Sequence, residues 1–274
     1  MTATVEFPAA RVRGAGVTTT APAQRFRWIV ASEFTKLRTL RSNLIALFLT
    51  ALGTVGVSAL VCAETAAHWK YMQPFEQADT DPTNLALNGW YLTQLVVGVV
   101  AVLVMTSEFG SGMVRTTFAA APRRHMVLAA KLFVVVTAAL VTSVACSVAA
   151  FLLGQGLLHS TGVATTLGQP GVARAVFGAG LYATLIALLG LGLGAVVRNT
   201  AGAISALFGV LFVPPILAEA FPSSWHNTIQ NYSPMNAGAA ILNVHQTKGL
   251  GPWAGLGVLT IYVLIVLAAG FVVT

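Results

Sequence analysis

Long uncharged apolar stretches dominate the chain after residue 43. Each is close to the length of about 20 residues that a helix needs to cross the hydrocarbon core of a bilayer. The stretches are continuous and do not alternate between apolar and polar positions, which excludes the pattern of a membrane β-barrel. They predict an all-α integral membrane protein with six transmembrane helices, at about residues 44–63, 90–106, 127–157, 175–197, 201–218 and 253–274.

A shorter amphipathic segment precedes the first span. In residues 24–41 the apolar side chains recur at intervals of three and four and share one helical face, whereas Glu33, Lys36 and Arg41 fall on other faces. This pattern predicts an N-terminal interfacial helix whose basic residues face anionic headgroups. The residues alone favour a simple surface anchor over an elbow that touches a cytoplasmic partner. Residues 1–23 are predicted to be a disordered cytoplasmic tail.

Two features of span four concern how the helices pack. Only residues 198–200 separate this span from span five, which predicts a tight helical hairpin with Arg198 at its tip. Gly190 and Gly194 form a Gly-x-x-x-Gly pair. Such a pair favours close helix packing within the bundle, and a contact between subunits is the less favoured alternative.

Composition and charge narrow the functional classes. Hydrophobic residues make up 56% of the 274-residue chain and charged residues only 8%, against roughly a quarter charged in soluble proteins. The mean hydropathy is +0.80. A soluble fold would not cover its surface with so few charges, so a soluble enzyme, a disordered chain and a nucleic-acid-binding domain are excluded. The net charge of +7 is therefore interpreted by its position along the chain.

The basic residues predict the orientation. If the N-terminus is cytoplasmic, 12 of the 15 basic residues lie inside, and only Lys70, Arg174 and Lys248 lie outside. Cytoplasmic loops carry the excess of Lys and Arg in multi-pass proteins. Both termini are therefore expected in the cytoplasm.

Familiar catalytic motifs are missing from the sequence. It contains no Gly-Lys pair, and therefore no P-loop for ATP, and neither a His-Glu-x-x-His motif nor a paired-Cys motif for a metal. The middle of the six spans holds no charged residue, and Lys131 lies near the inner end of span three. Ion-coupled transporters usually carry ionisable groups within the membrane. Energy for any transport is thus expected to come from outside the chain, which needs no cofactor of its own.

The segments that connect the spans at 107–131 and 219–251 are the most distinctive. In the first, a glycine break after Glu108 is followed by a potential short helix at 113–120, which Pro122 ends. It is either a solvated positive-inside loop or a docking surface for another protein, and the residues leave both readings open. The second is an aromatic-rich outer segment with a potential short helix at 236–245, expected to pack on the outer interface.

Four stretches resemble a known family. They read SEFTKLRTLRS (32–42), TSEFGSGMVRTTFAAAPRRHMVLAAK (106–131), FVPPILAEAFPSSW (212–225) and YSPMNAG (232–238). With the six-span layout they resemble the permease subunits of type-two ATP-binding-cassette (ABC) exporters, especially actinobacterial members. These permeases handle drugs, antibiotics, lipids and polysaccharides in the bacterial plasma membrane.

The resemblance implies partners and roles. The chain would be one of two permease subunits, in a homodimer or a heterodimer, and each would bind a separate ATPase subunit that holds ATP and Mg²⁺. Residues 32–41 would match the connecting helix, with Glu33, Lys36, Arg38 and Arg41. The coupling helix would lie within 108–124, with Lys131 following at the inner end of span three. Its residues expected to contact the ATPase are Glu108, Arg115, Thr116, Thr117, Pro122, Arg123 and Arg124.

A second interpretation belongs to another functional class. A polytopic membrane protein that does not transport, such as a sensor, an immunity protein or an assembly factor, would show the same six-span layout. A neighbouring reading frame with a P-loop and an ABC signature would favour transport, whereas a neighbouring histidine kinase without an ATPase would favour this alternative.

Overall fold

The protein is helical throughout the part of the chain that the structure describes. The computed structural model describes residues 22–39, 41–110, 124–245 and 249–273, and no β-strand occurs in these ranges. Eleven α-helices follow one another there: α1 (Pro22–Thr39), α2 (Arg41–His68), α3 (Pro74–Asp79), α4 (Pro82–Leu87), α5 (Trp90–Gly110), α6 (Arg124–Leu158), α7 (Val172–Val197), α8 (Thr200–Ala218), α9 (Ser223–Tyr232), α10 (Pro234–Ala239) and α11 (Pro252–Val273).

Six of these helices are long and apolar enough to cross a membrane, which confirms the predicted all-α, six-span fold. They are α2, α5, α6, α7, α8 and α11. The 35-residue helix α6 has a length of about 52 Å. Because the hydrocarbon core is only about 30 Å thick, part of α6 extends beyond it.

Helix α7 forms the centre of the bundle. In its most apolar stretch 72% of the residues are buried, compared with 22% in α2, α8 and α11, and it packs against α5, α6, α8 and α11. A Cβ atom added to Gly190 would lie 2.5 Å from the carbonyl oxygen of Gly98, and one added to Gly194 would lie 2.9 Å from Cβ of Met105. The glycine pair therefore brings α7 against α5 within one chain.

The predicted hairpin between α7 and α8 is present. Arg198 has a φ of +57°, and its N–H donates to the carbonyl of Gly194. The Asn199 side chain then caps α8 by accepting a hydrogen bond from the N–H of Gly202 at 2.9 Å. These two residues end one helix and begin the next within a single turn.

The opposite end of the bundle differs from the sequence-based expectation. The polar residues between the first two spans predict that the loop 64–89 is solvent-exposed. Residues 64–82 are exposed or half-buried, whereas Thr83, Ala86 and Leu87 of α4 are buried. The side chain of Gln155 in α6 donates to the carbonyl of Pro82 at 2.9 Å, which fixes α4 against the bundle. The expectation was wrong for α4, because the polar residues before this helix concealed its short apolar face.

The segment between α8 and α11 also inserts into that end of the bundle. A short helix was expected at 236–245, and the structure has α10 followed by a 3₁₀ turn at Ala240–Leu242, while residues 246–248 lie outside the described part. Ile241 is completely buried, and a Cβ atom added to Gly178 of α7 would clash with the Ile241 side chain. This segment therefore packs into the bundle between α7 and α11.

Candidate functional site

A buried ion pair joins the first helix to span three. The two carboxylate oxygens of Glu33 in α1 contact different lysines: Oε2 lies 3.0 Å from Nζ of Lys131 in α6, and Oε1 lies 2.5 Å from Nζ of Lys36. Nζ of Lys131 also lies 3.5 Å from the carbonyl oxygen of Val104 in α5. The cluster therefore connects α1, α5 and α6.

Burial distinguishes the two lysines. The side chains of Glu33 and Lys131 are only 5% and 4% exposed, whereas that of Lys36 is 38% exposed. A buried charge is tolerated when it is paired and hydrogen-bonded. Lys131 lies seven residues after the start of α6, which is about 10 Å along the helix. Because α6 is longer than the hydrocarbon core is thick, its first turns, including Lys131, can lie near the membrane surface.

The position of Glu33 corrects the sequence-based interpretation. The spacing of apolar residues placed Glu33 on a face turned away from the packed side of α1. In the structure Glu33 is buried against α6, while Trp28 and Phe34 are 70% and 56% exposed. The ion pair with Lys131 explains this orientation. Helix α1 packs against α6 and α2 and is therefore more than a surface anchor.

The remaining residues of the expected connecting helix are at its C-terminal end. Arg38 is exposed, and it borders a groove between α1 and the bundle. Arg41 begins α2, and its side chain lies outside the described part of the structure.

The expected coupling residues are mostly outside the described residues. Residues 111–123, which include Arg115, Thr116, Thr117, Pro122 and Arg123, are not among them. Glu108 lies in the last turn of α5 and Arg124 begins α6, and the side chains of both lie outside the described part. The ends of α5 and α6 thus bracket the segment, and its contacts with a partner stay a prediction.

A ladder of buried uncharged polar groups was missed by the sequence analysis. The hydroxyl groups of Thr54 and Thr93 are 2.6 Å apart and connect α2 to α5, and the backbone N–H of Gly89 donates to Ser58 Oγ at 2.9 Å. The hydroxyl of Tyr182 in α7 donates to the Gln94 side chain. Polar groups joined across helices stabilise membrane bundles. The available signal in the sequence was the four-residue spacing of Thr50, Thr54 and Ser58 on α2, which charged residues alone do not reveal.

Polar contacts join the ends of three spans at one end of the bundle. Thr200 at the start of α8 donates to Thr106 Oγ1 in α5 at 2.9 Å, and the guanidinium of Arg198 contacts the carbonyl of Val273 in α11. Because α5 and α6 are joined through residues 111–123, these contacts lie at the same end of the bundle as Glu33 and Lys131. The N-terminal helix and the C-terminal end of α11 are therefore at one end.

Comparison with known proteins identifies the relationship. Residues 29–215 match the family model described as "ABC-2 family transporter protein". The match covers about two thirds of the chain. The matched range begins within α1, contains both Glu33 and Lys131, and ends within α8. A comparison with curated proteins gives no match.

Proposed function

The chain belongs to the ABC-2 family of transporter proteins, and from this premise we propose that it is the permease subunit of an ABC exporter. Members of this family are transport membrane subunits that associate with an ABC-type ATPase and are not themselves ATPases. The proposed substrate is a drug, an antibiotic, a lipid or a similar amphipathic molecule. Two permease subunits, identical or related, would enclose its path.

The proposed division of tasks between subunits rests on the sequence. The chain contains no Gly-Lys pair, and a P-loop requires one. ATP and Mg²⁺ would accordingly be bound by the partner subunit. The absence of charged residues from the middle of the six spans argues against coupling to protons or ions.

The buried ion pair between Glu33 and Lys131 is the observation that most directly supports mechanical coupling between the ATPase and the membrane helices. In the proposal, residues 108–124 contact the ATPase, and this segment leads directly into α6. Lys131 lies about two turns into α6 and is held 3.0 Å from Glu33. A displacement of the segment would therefore move α6 and α1 together.

The proposed orientation has both termini in the cytoplasm of a bacterial plasma membrane. It is supported by the uneven distribution of basic residues, 12 of 15 of which fall on one side. The same side then holds α1, the hairpin at Arg198 and the end of α11.

Charge reversal in the proposed docking segment tests this function. A single exposed charge pair is worth only about 0–1 kcal/mol, so we propose changing two residues together in R123E/R124E. Like charges facing each other across an interface cost several kcal/mol, and the recovery of the ATPase with the tagged chain should fall more than about tenfold. Affinity purification from native membranes, followed by mass spectrometry, measures this recovery.

The control makes the same charge change elsewhere. R11E/R13E reverses two charges in the N-terminal tail and should leave the ATPase bound. Because both variants alter the positive-inside balance, membrane level and topology are measured first. If wild type recovers no protein with a P-loop and an ABC signature, the permease function is wrong. If R123E/R124E inserts normally and still retains the ATPase, the segment is only a connector.

A further inference from the structure

A groove between the helices lies apart from the ion pair of Glu33 and Lys131. It has a volume of about 200 Å³, and α2 lines one side while α5 and α6 line the other. Small side chains leave this space, because Ala101 of α5, Ala138 and Ala139 of α6, and Ala187 of α7 stand where the helices meet. Protein interiors are normally close-packed, and an unfilled volume of this size forfeits dispersion contacts.

The side chains that line the groove are mostly apolar, which favours a hydrocarbon ligand. Leu47, Val97 and Val135 are among its apolar side chains, and the hydroxyl of Thr50 is satisfied by donating to the carbonyl of Ala46 at 2.7 Å. Apolar cavities stay free of ordered water, and one of about 150 Å³ takes up a six-carbon ring. A segment of an acyl chain is therefore the natural occupant.

The register of the helices places the groove in the half of the bilayer at the end of the bundle that carries α1. Its α5 residues run from Val97 to Val104, a distance of about 10 Å along the helix, toward the end of α5 that leads to residues 111–123. One leaflet contributes about half of the 30 Å hydrocarbon core. The groove thus runs alongside the acyl chains of the leaflet at the end that carries α1.

The end of the groove near the membrane surface is formed by α1. Phe34 and Arg38 both border the groove, and a spacing of four residues puts them on one face of the helix. Arg38 is exposed, and no carboxylate among the described residues pairs with it. A guanidinium binds phosphate oxygens through paired N–H groups, and the cytoplasmic leaflet is rich in anionic lipid.

We propose that this groove is a binding site for one anionic phospholipid of the cytoplasmic leaflet. The acyl chain fills the space left by the four alanines, and Arg38 pairs with the phosphate, whose negative charge no cationic headgroup offsets in an anionic lipid. The site does not depend on transport or on an ATPase, because it rests on the shape and charge of a single chain, and the choice of leaflet rests on the proposed orientation.

Native mass spectrometry of the purified full-length chain tests the proposal. The protein is incubated with equal amounts of phosphatidylglycerol and phosphatidylcholine that carry the same acyl chains. Wild type should retain one phosphatidylglycerol with a preference of about fivefold or more, the value expected from one arginine near an anionic surface. R38Q should lose this preference. R27Q removes an exposed arginine about three turns earlier on α1 and should keep it.

A second pair of variants tests the acyl-chain groove. A138F fills the groove and should abolish retention of either lipid, whereas A145F places the same side chain at an exposed position of α6 outside the groove and should not. If A138F does not purify as a folded protein, the comparison of R38Q with R27Q decides alone. Equal retention of the two lipids by wild type, or equal losses in R38Q and R27Q, would overturn the site.

Discussion

The two ion pairs of Glu33 show that burial can affect the strength of a charge pair more than the distance between its atoms does. Its shorter contact is with Lys36 at 2.5 Å, but the Lys36 side chain is 38% exposed, and its longer contact is with Lys131 at 3.0 Å, where the side chain is 4% exposed. Water weakens the attraction between exposed charges, and buried pairs are screened much less. We therefore expect the longer contact to be the stronger one.

A double-mutant cycle tests this expectation. The coupling free energy between E33Q and K131M should exceed about 1 kcal/mol, as for contacting residues in a network. The coupling between E33Q and K36M should stay below about 1 kcal/mol, as for an exposed pair. Equilibrium unfolding of wild type, the three single variants and the two double variants E33Q/K131M and E33Q/K36M in mixed detergent micelles gives both values. A Lys36 coupling equal to or larger than the Lys131 coupling would contradict the prediction.

Both Glu33 and Lys131 stand out in the sequence, but no pattern in the sequence pairs them. The amphipathic pattern of α1 ranks its faces by apolar content and therefore placed Glu33 outward. A buried carboxylate on the packed face is stable only because Lys131 of a distant segment neutralises it. No local pattern contains that information.

At the level of elements, the position of α7 depends on how closely its glycines let neighbouring helices approach. A Cβ atom on Gly190 would lie 2.5 Å from a backbone oxygen of α5, and backbone atoms have little room to move. Gly209 of α8, by contrast, has no neighbouring atom within 4 Å of such a Cβ atom. The two glycines therefore form a matched pair with opposite surroundings.

Alanine substitution should separate these two glycines. G190A should lower the free energy of unfolding by about 1–3 kcal/mol, because overpacking forces α5 and α7 apart. G209A should have no effect or should stabilise the protein by up to about 1 kcal/mol, since alanine favours a helix over glycine. Thermal unfolding of the purified chain in detergent checks both values. A loss of stability in G209A that matches that of G190A would show that the packing argument is wrong.

At the level of the whole molecule, the contacts define two ends of the bundle. One end carries α1, the hairpin at Arg198 and the end of α11, and the other carries α3, α4, α9 and α10. An even number of spans returns the chain to the side where it started. Which end faces the cytoplasm depends on the basic residues and stays a prediction.

Cysteine labelling tests the orientation. D79C, at the end of α3, should react with an impermeant thiol reagent added to intact cells, and R124C, at the start of α6, should react only after the cells are opened. The native Cys62 and Cys146 are both buried, so wild type is a suitable background and control. Labelling of R124C without labelling of D79C in intact cells would reverse the topology.

The sequence by itself determined that the protein is a helical membrane protein with six spans. A bilayer requires long uncharged stretches whose backbone groups are satisfied within each helix, and such stretches are visible without any tertiary information. The hairpin at Arg198 was also predictable, because only three residues separate two spans. The family resemblance was likewise readable from short stretches in a fixed order.

Only the tertiary structure decided which faces meet. The inward turn of Glu33, the burial of α4 under Gln155 and the groove left by four alanines of α5, α6 and α7 each depend on residues that are far apart in the chain. In an almost uniformly apolar sequence, lipid-facing and protein-facing positions look alike, since lipid tails are as apolar as a leucine side chain. Close packing and a few buried polar contacts, rather than hydrophobicity, therefore select the arrangement.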